Sequence, residues 1–312
     1  MRASTVFMVS LLCCLTLTLF TEAARAQVLS MPPAQPVRLP PPDLPPSTGT
    51  MVDGSSWLAL RRFTDASGSP RTRGESGHNY HYDLGSDFVV WRGGALQVEG
   101  MVRMLILSTQ PEGWSDNTWL LDLSALVVEQ NLRVRRQVGP VGIGVGFHHN
   151  SKHDVDREIR RIPIHDTLRL ELDTPVFRGV YGRSDTTGWQ VWSRLRSEYA
   201  LEPVFQVNVP ENYAGGFALE IFGEPWIRSG RFAAFVDASS SLLLYQNDDG
   251  RRDADLDWLI RGGFRFGSTR RSVAVFADVQ RLHDDWKTNA SRGPGRSTEP
   301  WTLISVGVAF RR

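Results

Sequence analysis

The chain is almost without cysteine, since its only two, Cys13 and Cys14, both fall in segment 1–26. That segment has a basic residue, an apolar stretch at 6–20 and a small-x-small motif just before Gln27, which together are typical of a secretory signal peptide. We expect the mature chain to begin at Gln27. It would then have no thiol for a disulfide or for a cysteine-ligated metal.

Two other features are also missing. The formal net charge is only +1, with 22% charged residues, so there is no basic excess of the kind that binds nucleic acid. After the leader, no second apolar run of about 18 residues occurs, which excludes a helical membrane protein. No motif predicts a cofactor.

Segment 27–50 is rich in proline and cannot build a hydrophobic core. Such a composition predicts an extended, polyproline-like chain, most simply a periplasmic linker and alternatively a partner-binding motif. The remaining residues, 51–312, are enough for one large β domain.

Within 51–312, charged and apolar residues alternate along successive segments. In 166–174, for example, Leu168, Leu170 and Leu172 alternate with charged residues, and 188–201 and 256–266 follow the same rule. This period of two, broken by turn signals, is typical of a β-sandwich, a soluble β-barrel or a membrane β-barrel. In the two soluble alternatives the apolar face would point inward.

The spacing of the segments favours the membrane barrel. Longer polar connections alternate with tight turns, and tryptophans stand near strand ends, as at the interfaces of a bacterial outer-membrane barrel. We therefore predict an all-β, transmembrane, antiparallel up-and-down barrel of 12 to 14 strands, with 176–183 and 203–210 deciding the number. With the N-terminus in the periplasm, an even number places the C-terminus there too.

The charged face of the predicted barrel mixes arginines with aspartates and glutamates. Mixed signs in a modest lumen predict ion pairs across a blocked interior. The last strand, 302–310, ends in an apolar row closing at Phe310, and it resembles the terminal aromatic strand by which the assembly machinery recognises outer-membrane barrels. Arg311 and Arg312 after the phenylalanine depart from that pattern.

Segment 141–153 reads V-x-I-x-V-x-F-x-H-x-S-x-H. Because strand side chains alternate between faces, His149, Ser151 and His153 share the face of the preceding apolar residues. If that face meets lipid, a His-x-Ser pair stands at the membrane surface, near the extracellular rim.

This pair resembles the His-x-Ser of outer-membrane phospholipase A and of lipid A 3-O-deacylase. The resemblance implies that His149 is the general base and Ser151 the nucleophile, with a carboxylate to orient the base. The nearest carboxylates along the chain are Asp154, Asp156 and Glu158, and we take Asp156, together with His153, as the further catalytic candidates. The Asn-Gly that follows the serine in those enzymes is replaced here by Lys152-His153.

A second resemblance covers more of the chain. His149-x-Ser151-x-His153-x-x-Asp156 is similar to the H-x-S-S-H-x-G-D-E stretch of a family of uncharacterised bacterial outer-membrane barrels. Segments 180–182 and 197–199 resemble later strands of that family. This resemblance implies the fold and the location, and no established activity.

Other interpretations of the same stretch stay open. The polar residues could simply form the root of a loop at the membrane surface. A metal site, for example for zinc, is a further alternative, although His148 faces the opposite side of the strand from His149 and His153. Its candidate ligands are His148, His149, His153, Asp154, Asp156 and His165. Four cations could bind lipopolysaccharide phosphates, or belong to a solvated loop: Lys152, Arg157, Arg160 and Arg161.

The sequence thus predicts an integral outer-membrane protein whose function is envelope-related and non-enzymatic. A serine-type lipid hydrolase or deacylase acting at the outer leaflet through His149 and Ser151 is the alternative, and a small-solute channel is a third. The expected partners are lipopolysaccharide, phospholipid and the outer-membrane assembly machinery.

Overall fold

A computed structural model describes residues 49–64, 80–108, 123–154, 164–181, 186–200, 216–246, 252–267, 271–284 and 296–311. These residues form thirteen strands: β1 (Gly49–Thr64), β2 (Tyr80–Gly93), β3 (Leu96–Ser108), β4 (Leu123–Val138), β5 (Val141–Asp154), β6 (Ile164–Asp173), β7 (Phe177–Val180), β8 (Thr187–Ala200), β9 (Gly216–Ser229), β10 (Phe232–Gln246), β11 (Arg252–Gly267), β12 (Ser272–Asp284) and β13 (Arg296–Arg311). Among them, no helix is long and apolar enough to cross a membrane.

The strands close into an antiparallel barrel. Consecutive strands pair with each other except β6 and β7, β1 pairs with β13, and β6 pairs with β8, so that β1 to β6 and β8 to β13 form a ring of twelve. The predicted up-and-down barrel is therefore confirmed, at the lower end of the predicted range. Segment 203–210 lies outside the described residues.

The short strand β7 continues the line of β6 and pairs with the same neighbour, β8. Between β6 and β7 lies Pro175, which has no N–H for a ladder hydrogen bond. Thr174 bridges this break, because its N–H donates to the carbonyl of Ser193 (2.8 Å) and its Oγ1 accepts from the Ser193 N–H (2.9 Å). Within segment 176–183, Phe177–Val180 thus supplies an extension of β6, and residues 182–183 lie outside the described part of the chain.

The tight turns lie at one end of the barrel. Gly94, Gly139 and Gly230 connect β2 to β3, β4 to β5 and β9 to β10, each with φ of 58° or 59°, a left-handed conformation that glycine adopts without a steric penalty. We call this the turn end and the opposite one the loop end. Strand β5 begins at the turn end, so its last residues lie at the loop end.

The outer wall of the barrel is apolar. Large apolar side chains are exposed on every strand of the ring, among them Leu58, Val102, Met104, Leu132, Val134, Val145, Phe147, Leu168, Leu170, Leu219, Ile221, Val236, Ile260, Phe264, Val275, Ile304 and Val306. A water-soluble barrel would bury this row. The closed ring with an apolar wall and a charged interior is the arrangement of an outer-membrane β-barrel.

The interior is packed with ion pairs. Asp83 accepts hydrogen bonds from Trp57 Nε1 (2.9 Å) and Arg103, and its carboxylate lies 2.7 Å from the Arg61 guanidinium. Arg103 also contacts Glu129, at 3.2 Å. A second set pairs residues of non-adjacent strands, such as Arg265 of β11 with Glu224 of β9. The mixed charges predicted for the lumen therefore pair with one another, between adjacent and next-but-one strands.

The glycines of β5 allow an ion pair to form between the two strands on either side of it. Gly142, Gly144 and Gly146 are buried on the inner face, where a Cβ on Gly144 would lie 3.4 Å from the Arg133 side chain and 3.5 Å from that of Glu171. Because these inner positions of β5 have no side chains, Arg133 reaches across the strand from β4 to bind Glu171 on β6. The alternating glycines of this strand are thus explained by the interior, and its alternating apolar residues by the wall.

Candidate functional site

The candidate site is the loop end of β5. His149, Ser151 and His153 follow Val145 and Phe147 on the outer face, as the alternation predicted. The two apolar residues are exposed on the wall, whereas Ser151 is only 3% exposed and both histidines are half-buried. The site therefore begins where the apolar wall of this strand ends.

Ser151, His149 and Asp166 form a continuous hydrogen-bonded chain. The Ser151 Oγ lies 3.2 Å from His149 Nε2, and the opposite ring nitrogen, Nδ1, lies 2.7 Å from the Asp166 Oδ1. A carboxylate can only accept, so His149 Nδ1 carries a hydrogen and, in the neutral ring, Nε2 keeps the lone pair that accepts the serine proton. This is the order of groups in a serine hydrolase: carboxylate, imidazole, hydroxyl.

The register of β5 against β6 brings Asp166 to the site. His149 and Asp166 are directly opposite each other in the ladder, and Phe147 is opposite Leu168. Directly opposite residues have Cβ atoms about 4.5–5.5 Å apart and lie on the same face of the sheet. The imidazole and the carboxylate therefore meet without any contribution from the loop between the two strands.

His153 approaches the same hydroxyl from the other side. Its Nε2 lies 3.1 Å from Ser151 Oγ, so the serine contacts two imidazoles, one from each neighbouring position of its own row. Both contacts follow from the two-residue period, which places positions i−2 and i+2 on either side of the serine.

On the other neighbouring strand, β4, Gln130 stands directly opposite His149 and is exposed. Its row also contains Val128, which is opposite Ser151, and Leu132. A primary amide on this row is out of place against lipid and brings two N–H donors to the outer face beside His149.

Several predicted residues lie outside the described part of the chain. Asp156, Arg157, Glu158, Arg160 and Arg161 fall in the connection between β5 and β6, and the side chains of Lys152 and Asp154 are likewise not described. Their predicted roles in orienting the base and in binding lipid phosphates stay predictions.

The described residues contain no group of three metal-binding side chains, which leaves the zinc interpretation without a cluster in that part of the chain. His148 points inward, where its Nε2 lies 3.6 Å from the Glu129 carboxylate. The two histidines at Ser151 face outward, so His148 lies on the opposite face of the strand from them, as the alternation predicted.

The motifs of the sequence do not identify Asp166, which contacts His149, or Gln130, which is opposite His149 on β4. Both carried a signal, because each is a polar residue in a row that is otherwise apolar: Asp166 precedes Leu168 and Leu170, and Gln130 precedes Leu132. Each therefore stands out as a polar residue among the lipid-facing positions of a strand, and the two strands flank the one that carries the His-x-Ser pair.

No family model matches the chain, and no curated protein does either. Solved structures resemble it at low sequence identity. Outer membrane phospholipase A from Escherichia coli is 12% identical, with 82% of this chain and 92% of that chain covered at a TM-score of 0.45. LpxR from Salmonella typhimurium is 7% identical, with 82% and 99% covered and a TM-score of 0.45.

The COG4313 outer membrane channel from Pseudomonas putida F1 is 10% identical over 88% of this chain and 100% of its own, again at a TM-score of 0.45. A phospholipase and a channel thus resemble the chain equally. The chain itself is an outer-membrane type of β-barrel with a hydroxyl, an imidazole and a carboxylate aligned on its outer wall.

Proposed function

We propose that this barrel is a serine-type lipid hydrolase or deacylase that cleaves acyl esters in the outer leaflet of the outer membrane. Ser151 is the nucleophile, His149 the general base and Asp166 the residue that orients and stabilises the base. The observation that carries the proposal is the unbroken hydrogen-bonded chain from Asp166 through His149 to Ser151.

In the first half of the reaction, Ser151 Oγ attacks the ester carbonyl carbon while its proton passes to His149 Nε2. The carboxylate of Asp166, 2.7 Å from Nδ1, stabilises the imidazolium that forms. When the bond between carbon and the alcohol oxygen breaks, His149 gives its proton to that oxygen. The alcohol part of the lipid leaves and the acyl group stays on Ser151.

In the second half, water attacks the acyl carbon and transfers a proton to His149 Nε2. The bond between the carbon and Ser151 Oγ then breaks, and the proton moves from His149 to Oγ. A fatty acid is released and the hydroxyl is restored, so the two halves balance without a cofactor.

The carbonyl oxygen becomes negatively charged in both halves and needs hydrogen-bond donors. Gln130 is the side chain that we assign to this task, since it is exposed on the outer face of the strand next to Ser151. Donors placed where the charge develops act strongly in a site with little water.

The position of the site on the wall fits a lipid substrate. Phe147 and Leu168, side by side on β5 and β6, are exposed directly below His149 and Asp166 in the direction of the turn end. An acyl chain can lie along these residues while its ester stands at the polar rows, so the lipid reaches Ser151 from the bilayer without entering the barrel.

The proposed function also predicts how the barrel is oriented in the membrane. If the site meets the outer leaflet, the loop end faces the exterior, and the turn end and both termini face the periplasm. The cations Lys152, Arg157, Arg160 and Arg161 would then lie close to lipid phosphates, which guanidinium groups bind well. Lipopolysaccharide and phospholipid are the partners in the reaction, and the assembly machinery is the expected partner in insertion.

A channel is less well supported. Arg61, Arg103, Arg169 and Arg261 are inward-facing and at most 2% exposed, so the described interior is packed with charged side chains that bind one another. No specific observation favours passage of a solute.

The proposal is tested by Ser151→Ala, with Ser86→Ala as the matched control because Ser86 lies on β2 and hydrogen-bonds Ser56. The purified barrels are added to phospholipid vesicles and, in a separate arm, to purified lipopolysaccharide, and released fatty acid is measured by mass spectrometry. We expect release by the wild type and by Ser86→Ala, and a loss of about 10³-fold or more in Ser151→Ala.

The two arms separate the two ester sources. Release from vesicles alone identifies a phospholipase, and release from lipopolysaccharide alone identifies a deacylase. Equal lipid profiles for the wild type and Ser151→Ala in both arms, with both proteins folded, would exclude the hydrolase.

A further inference from the structure

The Ser151 hydroxyl lies within hydrogen-bond distance of two imidazole nitrogens, His149 Nε2 at 3.2 Å and His153 Nε2 at 3.1 Å. A hydroxyl has one hydrogen to donate and two lone pairs that accept. Only one of the two nitrogens can therefore receive the serine proton. The other has to carry a hydrogen of its own and donate it to Oγ.

Asp166 decides which histidine has which role. Its Oδ1 lies 2.7 Å from His149 Nδ1 and requires a hydrogen there, so that the neutral His149 has its lone pair at Nε2. The Ser151 O–H therefore points to His149. By elimination, His153 Nε2 carries the hydrogen and donates to Oγ.

We propose that His153 is a second catalytic histidine, which acts as a hydrogen-bond donor to Ser151 Oγ and not as a base. The inference rests on the proposed hydrolase function and assigns to the same site a residue beyond the Ser151, His149 and Asp166 chain. Its hydrogen bond fixes the serine rotamer whose O–H points to His149.

The same bond has an electrostatic role. Oγ becomes electron-rich twice, when its proton leaves during attack on the ester and when its bond to the acyl carbon breaks. An N–H donor already 3.1 Å away stabilises that charge at both moments without reorganisation. The symmetric H-x-S-x-H pattern thus has an asymmetric function, with an acceptor on one side of the serine and a donor on the other.

The roles are distinguished by making the same substitution at both positions. A glutamine side chain can donate a hydrogen bond through its amide, but it cannot take up a proton as a base. We expect His149→Gln to lose about 10³-fold or more in kcat, whereas His153→Gln stays within about tenfold of the wild type. His153→Phe, which keeps an aromatic ring and loses the donor, should fall about 10²-fold.

Each variant is measured twice, by fatty acid release and by the rate at which a fluorophosphonate labels Ser151. The second reaction reports the nucleophile without a lipid substrate. Heat-modifiable gel migration shows that each barrel is folded. A wild type that reacts, with His153→Gln as slow as His149→Gln, would overturn the donor role and leave the proposed function standing.

A structural readout is independent of turnover. In protein with ¹⁵N-labelled histidine, assigned by comparing His149→Gln and His153→Gln, we expect the hydrogen on Nδ1 of His149 and on Nε2 of His153. A hydrogen on Nδ1 of His153, with a bare Nε2, would refute the proposal. A folded wild type that neither releases fatty acid nor reacts with the fluorophosphonate would overturn the hydrolase and the role of His153 together.

Discussion

Carboxylates inside the barrel and on its wall are held in opposite ways. Asp83 is completely buried and is bound by Arg61, Arg103 and the Trp57 indole. Asp166 is 24% exposed and, among the described residues, contacts the His149 imidazole, which in turn contacts a hydroxyl. Both are acidic residues on strands, yet one is surrounded by cations and the other begins a chain that ends at a nucleophile.

This difference implies that the interior charges stabilise the fold, whereas the polar residues on the wall serve the proposed reaction. Interior charges satisfy one another, and removing one partner leaves the others buried and unpaired. On the wall, Asp166 accepts a hydrogen bond from His149 Nδ1, so Nε2 on the other side of the ring is available to take the Ser151 proton. Substitutions in the two regions should therefore have opposite consequences.

The largest expected effect is that of Asp166→Ala on catalysis. Without the carboxylate, nothing described holds the hydrogen on His149 Nδ1 or stabilises the imidazolium, so we expect kcat to fall about 10³- to 10⁴-fold. Because Asp166 is partly exposed, the midpoint of thermal unfolding should hardly change. Fatty acid release and a thermal melt of the same preparation measure the two quantities.

The corresponding substitution in the interior is Asp83→Asn. We expect it to destabilise the barrel by about 3–5 kcal/mol because Arg61 and Arg103 lose a buried counter-charge. Its rate of fatty acid release below the melting transition should stay close to that of the wild type. Unfolding in denaturant, followed by heat-modifiable migration, gives the stability. If Asp83→Asn lost activity while fully folded, interior and wall would not be separable.

A smaller effect is expected at Gln130. Gln130→Leu and the isosteric Gln130→Glu both remove the N–H donors, and each should lower kcat about 10²-fold with little change in KM. Leu132→Ala, two residues along the same exposed row, is the control and should keep full activity. Unchanged kcat in both Gln130 variants would assign the oxyanion to other donors.

Much of this molecule could be predicted from local patterns. The alternation in segments such as 166–174 predicted which side chains face the wall, and the same alternation placed His149, Ser151 and His153 on one face. Asp166 could not be predicted as their partner, because it follows a connection whose length does not reveal the register of β6 against β5. The sequence predicts in its place a carboxylate that is near along the chain, such as Asp156.

The sequence by itself determined the inside and the outside of this protein, because a strand has a period of two and each residue type has its own preference for lipid or for the interior. It also determined that a serine stands between two histidines. Only the tertiary structure decided what surrounds them. The pairing of β5 with β6 supplied Asp166, the pairing with β4 supplied Gln130, and hydrogen-bond geometry gave the two histidines different roles, since neighbours across a sheet are set by register and not by distance along the chain.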